Sequence, residues 1–164
     1  MPHLLRYESP IGTLHLAAVD SGLCQLTFSE EPLAAEAERL PANGAAERIL
    51  DDTRRSLDRY FGGSLRALDD LPLALSGTSF QQRVWNAVRR VEAGRAISYG
   101  ALASRLEEPN AARAVGTALG KNPVCLVVPC HRVLGAGGKL GGFSGGLNRK
   151  RFLLNHEGVG FADI

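Results

Sequence analysis

Apolar and polar residues alternate, or fall in short apolar blocks, at three places near the start of the chain: Leu4–Tyr7, Thr13–Val19 and Cys24–Phe28. Ser9-Pro10-Ile11-Gly12 and Asp20-Ser21-Gly22 lie between them and supply turn chemistry, so the spacing predicts a three-stranded antiparallel meander. From Ala45 the period changes. Ile49, Thr53, Leu57 and the pair Tyr60-Phe61 recur at helical spacing, and Gly62-Gly63 provides the stop. Ser29–Asn43, acidic, alanine-rich and broken by proline, reads as a loop with some helix. Leu71–Leu75 contains Pro72 and is read as an edge strand, because proline cannot donate to an inner ladder. Ser76-Gly77 marks a boundary between a domain at 1–76 and another at 77–164.

The second part is patterned as helices. Phe80, Val84, Trp85 and Val88 make one face of a helix that Thr78 or Ser79 can cap and that runs to about Val91. Ser98 can cap a short helix through Leu106, and Pro109 or Asn110 opens another through Leu119. The apolar run Val124–Val128, closed by Pro129, predicts a buried strand. Two short helices about a tight turn, followed by such a run, fit a winged helix-turn-helix. Gly135–Gly146 holds seven glycines, too many for regular structure, and Leu147–His156 reads as a last helix that stops at Gly158. The fold class predicted is α+β in two domains, a small antiparallel sheet with a helix followed by a mostly helical winged helix-turn-helix.

Where the run Val124–Val128 ends, Cys130 and His131 are adjacent. A thiol attacks only as thiolate, and a neighbouring base or positive charge supplies that form. Glu157, at the carboxyl end of the last helix, could orient the base. A carboxylate there opposes the helix dipole, which hints at a use beyond stability. The plain alternative is a buried structural cysteine.

Charge sharpens the picture. Residues 1–77 carry 7 Lys+Arg against 12 Asp+Glu, and residues 78–164 carry 12 against 5, so a net charge of +2 hides an acidic half and a basic half. The basic half suits a polyanion. The 164 residues, 45% of them hydrophobic, contain no apolar stretch of membrane-spanning length. The first residues lack the apolar core of a signal peptide, and three cysteines cannot all pair, so a reducing, cytoplasmic setting is expected. His3, His15 and Cys24 have no ligand spacing, so no metal is expected, and nothing suggests a cofactor.

Pro129-Cys130-His131-Arg132-Val133 resembles the active-site signature of the O6-alkylguanine-DNA alkyltransferases, the methylated-DNA–protein-cysteine methyltransferases. Ile97-Ser98-Tyr99-Gly100, Ala111–Gly116, Asn122-Pro123, Gly142–Leu147 and Leu153–Gly158 follow in that family's order and spacing. The resemblance is dense from Thr78 to Gly158 and thin before it. It implies a ribonuclease-H-like N-terminal domain and double-stranded DNA carrying O6-alkylguanine, or O4-alkylthymine, as substrate. It implies that Cys130 takes the alkyl group once and for all. His131 would accept the thiol proton through a water, and Glu157 would stabilise the imidazolium. Tyr99 would approach guanine N3, and Ser144 guanine O6. Backbone around Cys130 and Val133 would read the exocyclic amine. Gly145 and its neighbouring glycines would admit the base, and Phe143, where relatives often carry tyrosine, would wall the site. Asn122 would tie the helix-turn-helix to the Cys130 segment. Arg113 would fill the gap left by a flipped nucleotide, on a helix laid in the minor groove with small residues Ala112, Ala114 and Gly116. A monomer is expected.

Glu107-Glu108-Pro109 departs from the family pattern, since glycine or neutral residues are expected before the recognition helix. Two other functions compete. A base-flipping module that binds without repair would lack the nucleophile, and Cys130 speaks against it. A thiol hydrolase on Cys130 and His131 would need an oxyanion hole, and the basic half and Arg113 speak against that.

Overall fold

A computed structural model describes residues 3–28, 44–143 and 145–162; Ser29–Asn43, expected as loop with some helix, and Ser144 lie outside the described residues. The chain forms two compact units, one of Met1–Ser76 with Pro123–Val127, the other of Gly77–Asn122 with Val128–Ile164. Pro123–Val127, placed by the sequence pattern in the C-terminal domain, therefore packs with the first unit.

The first unit is built on an antiparallel sheet in the order β1 (His3–Ser9), β2 (Gly12–Val19), β3 (Gly22–Phe28). Ser9 fixes the first turn, its hydroxyl donating to the Gly12 carbonyl at 2.6 Å and accepting from the Ile11 amide at 3.2 Å. Leu5 faces Leu16 across one ladder, and Leu16 faces Leu26 across the next. Helix α1 (Ala45–Phe61) packs on this sheet with Ala46, Leu50, Thr53, Leu57 and Tyr60 buried. Thr53, Leu57 and Tyr60 face inward as the spacing predicts; in the first turns Leu50 is buried in place of Ile49, which is only partly so. Full burial of a leucine-sized side chain contributes about 1.5–3 kcal/mol. Leu14, Leu16, Leu23, Leu26, Leu50 and Leu57 are all essentially inaccessible, so packing of helix on sheet, rather than strand propensity, holds this unit. Tyr7 adds a hydroxyl hydrogen bond to Asp58 at 2.6 Å, tying β1 to α1.

The outer edge of β3 is covered by two separate segments. Leu73 makes a single parallel bridge to Leu23, with Leu23 N–H donating to the Pro72 carbonyl and Ala74 N–H to the Leu23 carbonyl. Gly22 permits this approach, because a Cβ there would lie 2.6 Å from the Leu73 carbonyl carbon. Further along, Leu26 bridges Val124 in parallel. The strand predicted over Val124–Val128 is not continuous. Leu126 has φ +71°, and the Val127 amide turns back to the Cys125 carbonyl at 2.8 Å. A left-handed residue cannot continue an extended ladder, so the apolar run makes bridges and a turn instead.

In the second unit Thr78 caps α2 (Ser79–Arg89) through a full capping box with Gln81. Val84, Trp85 and Val88 are its buried face, and the Trp85 indole donates to the Ala118 carbonyl at 2.9 Å. Helices α3 (Tyr99–Arg105), capped by Ser98, and α4 (Ala112–Gly120) pack on α2 and on each other as the helix-turn-helix. α4 begins at Ala112, after an Ala111 N-cap without a side-chain bond, rather than at Pro109 or Asn110. Two-residue strands β4 (Ile97–Ser98) and β5 (Val133–Leu134) pair in parallel. Between α5 (Leu147–His156) and β5 lie the glycine-rich loop and a small core of Leu134, Leu140 and Leu154, with Val159 and Phe161 against it.

Candidate active site

Cys130 opens a one-turn 3₁₀ segment, Cys130–Arg132, and is 5% exposed. Its amide turns back to the Val128 carbonyl at 2.8 Å. Asn122, buried at the end of α4, donates from its side-chain amide to that same carbonyl at 2.9 Å. The two flanks of the Pro123–Val127 excursion are thus pinned together directly behind the cysteine.

Cys130 lines a cavity of about 200 Å³ with Tyr99, Gly116, Leu119, Gly120, Gly142 and Phe143. Tyr99 stands at the start of α3 and donates weakly to the Gly142 carbonyl at 3.4 Å. Burial raises its phenol pKa, so it remains a donor at neutral pH. Gly141, with φ +68°, lets the loop close on that ring: a Cβ would lie 3.0 Å from Tyr99 Cε2. Phe143 meets the His131 ring edge to face, centroids 6.5 Å apart.

Behind the cysteine is a buried polar cluster. His131 Nε2 lies 2.8 Å from Glu157 Oε2. Arg132 grips the same carboxylate with Nε to Oε1 at 2.8 Å and Nη2 to Oε2 at 3.0 Å, while its Nη1 donates to the Val91 carbonyl at 2.6 Å. Burial by itself would raise the Glu157 pKa, but hydrogen bonds and charge from His131 and Arg132 hold it well below the usual carboxylate range. An ionised carboxylate only accepts, so Nε2 of His131 carries the hydrogen. Burial, aided by the nearby charges of Arg132 and Lys150, lowers the His131 pKa against the pull of Glu157, and the ring is neutral near pH 7. Its Nδ1 therefore presents a lone pair, and that buried atom has no hydrogen-bond partner among the described residues. The arrangement can take a proton at Nδ1 and stabilise the resulting cation.

Lys150 is fully buried and donates from Nζ to the carbonyls of Val133 at 2.7 Å and Gly142 at 3.0 Å. Burial pulls its pKa down to about 8, against the opposing influence of Cys130. It joins β5 to the glycine-rich loop and places a cation near the thiol. The sequence pattern does not single out Arg132 or Lys150. A signal for Lys150 was present: with Leu153, Leu154 and Glu157 it falls on one helical stripe, at i, i+3, i+4 and i+7.

Of the residues singled out from sequence, Tyr99, Gly116, Cys130 and Phe143 share the cavity, and His131 and Glu157 meet behind it. Val133 is buried, its carbonyl engaged by Lys150, and the Gly145 carbonyl accepts from Arg149 at 3.1 Å. Ala112 begins α4, and Arg113 and Ala114 are exposed along it.

The fold and site define a two-unit protein in which a buried thiol–imidazole–carboxylate array adjoins a helix-turn-helix. Two family models divide the chain, the ribonuclease-like domain of 6-O-methylguanine DNA methyltransferase over residues 6–75 and the DNA binding domain of the same family over residues 79–159. The chain belongs to the 6-O-methylguanine DNA methyltransferase family. A methylated-DNA–protein-cysteine methyltransferase of Haemophilus influenzae is 37% identical over 162 residues, covering 96% of this chain and 87% of the relative. One from Mycobacterium bovis is 45% identical over 158 residues, covering 96% and 93%. A crystal structure of Mycobacterium tuberculosis OGT in complex with DNA superposes with a TM-score of 0.80 at 43% identity, covering 95% of this chain and 92% of that one.

Proposed function

We propose that this chain repairs alkylated DNA by direct reversal, moving the alkyl group of O6-alkylguanine, and of O4-alkylthymine by the same attack, to Cys130 once per molecule. The observation that carries this reading is the cavity: the cysteine lies in it beside a phenol donor and a phenylalanine wall, backed by the His131–Glu157 pair. The thiol proton passes through a water to Nδ1 of His131. The thiolate attacks the alkyl carbon, an S–C bond forms, and the C–O6 bond breaks with its electrons returning to guanine. Tyr99 supplies a hydrogen bond near N3 as that charge develops. Glu157, kept ionised by Arg132, stabilises the imidazolium without taking the proton. Lys150 holds Val133 and Gly142 in position and favours the thiolate.

Attack on O6 within a duplex requires the base to leave the stack. Arg113, exposed on α4, fills the space left behind, and Ala112, Ala114 and Gly116 let the helix enter the minor groove closely. One chain carries every group used, so it acts as a monomer. None of the three cysteines is in a disulfide, in keeping with a reducing cytoplasm, and no described helix is long and apolar enough to cross a membrane. The test is mass spectrometry after incubation with an O6-methylguanine oligonucleotide. One added methyl, on Cys130, is expected, and Cys130→Ser should gain none. A methyl found on Cys24 or Cys125, or guanine restored with Cys130 unmodified, would refute the proposal.

A further inference from the structure

The second unit has a surface that alkyl transfer at Cys130 does not use. Two open grooves adjoin on the side formed by α2, the α2–β4 loop and the end of α3. One is lined by Arg90, Glu92, Arg95 and Arg105, the other by Arg83, Asn86, Arg90, Arg105 and Glu107. Arg90 and Arg105 belong to both. Arg83 is engaged, donating to the Leu106 carbonyl at 2.7 Å with Glu108 at 3.9 Å, and Arg95 has Glu92 at 4.0 Å. Arg90 and Arg105 are exposed, and neither has a carboxylate within ion-pair distance among the described residues.

Each of these two could be explained alone. Arg90 is the C-cap of α2 and Arg105 the last residue of α3, where cations are favoured by the helix dipole. That does not explain why two separate helix ends bring uncompensated guanidinium groups to one shared rim. Like charges so placed repel unless an anion joins them, and a planar guanidinium fork matches phosphate oxygens in pairs.

We propose that these grooves take the phosphate backbone of duplex DNA beyond the stretch where the base is read, as a second polyanion track continuous with α4. The proposal rests on the alkyltransferase reading given above. Continuity is structural: Glu107 lines one groove, and the Glu108 carbonyl accepts from the amide of Ala111, the N-cap of α4, at 2.9 Å. Glu107 and Glu108 border the track and repel phosphate, so the backbone passes on the Arg90–Arg105 side.

The test uses the whole chain and a labelled, unmodified duplex long enough to reach past α4, with affinity measured across a salt series. Arg90→Gln with Arg105→Gln should flatten the log–log slope by about 0.9 per lost phosphate contact, about 1.8 for the pair. Arg90→Lys with Arg105→Lys should keep the slope. Both variants should react with free O6-benzylguanine as the wild type does, since the free base needs no backbone. An unchanged slope in the glutamine variant, with that reaction intact, overturns the proposal. Self-association without DNA that the glutamine variant loses, its slope unchanged, would give the groove to a second copy and overturn it too. Failure of the alkyltransferase reading would show separately, as a wild-type protein that gains no alkyl group on Cys130.

Discussion

Glu157 is a carboxylate in a poor place by local rules: buried, at the C-cap of α5, facing the negative end of the helix. Arg132 makes it tolerable, and together they hold His131 in the tautomer whose lone pair lies on Nδ1, the atom that takes the thiol proton in the proposed transfer. Glu157→Gln should therefore slow alkyl transfer on the order of 100- to 10,000-fold, as should Tyr99→Phe, while DNA affinity changes little. Single-turnover rates within about threefold of wild type for both variants would contradict these roles. His131 also makes stability depend on pH. Its folded pKa lies below the ordinary 6.5, so the unfolded chain binds the proton more readily and stability falls as pH drops through about 6.5. Glu157, depressed from 4.5, adds a further loss at lower pH, present above that value and gone once the folded carboxylate protonates. Urea midpoints that stay level between about pH 7.5 and pH 5.5 would refute the first claim.

Among the elements, the turn from α3 to α4 shows both what the sequence reveals and what it hides. The Glu108 amide bonds to the Ala103 carbonyl and the Glu107 amide to the Ser104 carbonyl, the pairing that closes a helix with a left-handed residue at C′. Glu107 occupies that place with φ +61°. Glycine or a neutral residue is expected there from the family pattern, and the backbone gives a reason for glycine. The left-handed state costs a side-chain-bearing residue roughly 1–2 kcal/mol, partly offset by the greater entropy glycine loses on folding. Glu107→Gly should raise stability by about 0.5–1 kcal/mol, read as a higher urea midpoint, and an equal or lower midpoint would sink the idea. Capped helices were legible because Thr78 and Ser98 announce them, and the meander because turn residues separate its strands. The Val124–Val128 strand misled because apolarity signals burial and cannot show that Leu126 turns left-handed. Arg132 was hidden because its partners, Glu157 and the Val91 carbonyl, lie far away in sequence.

For the whole molecule, the chemistry predicts an irreversible end state. An acyl group can be hydrolysed at its sp² carbon with an oxyanion hole to help. A methyl thioether has no such route, so activity ends at one equivalent. The added methyl must be accommodated on Cys130, a residue only 5% exposed, against the wall of its cavity. Overpacking of this kind costs about 1–3 kcal/mol. The alkylated sulfur also cannot ionise, and so no longer offsets the burial of Lys150. The spent protein should melt lower than the active one, by about 2–4 °C for each kcal/mol lost. Equal melting temperatures before and after complete alkylation would count against this.

The excursion of Pro123–Val127 into the first unit also has a consequence for how the molecule is made. Leu26 finds its edge partner Val124 only after most of the chain has been synthesised. At about 5–20 residues per second, the delay between finishing Ser76 and supplying Val124 lasts several seconds. Until then the amide and carbonyl of Leu26, later bonded to Pro123 and Cys125, face water on an open strand edge. A nascent first unit is thus expected to be a late-maturing intermediate, vulnerable to edge-to-edge association. A fragment ending at Ser76 should exchange the Leu26 amide rapidly while the whole chain protects it. Equal protection in both would show that the unit matures without waiting for its last segment.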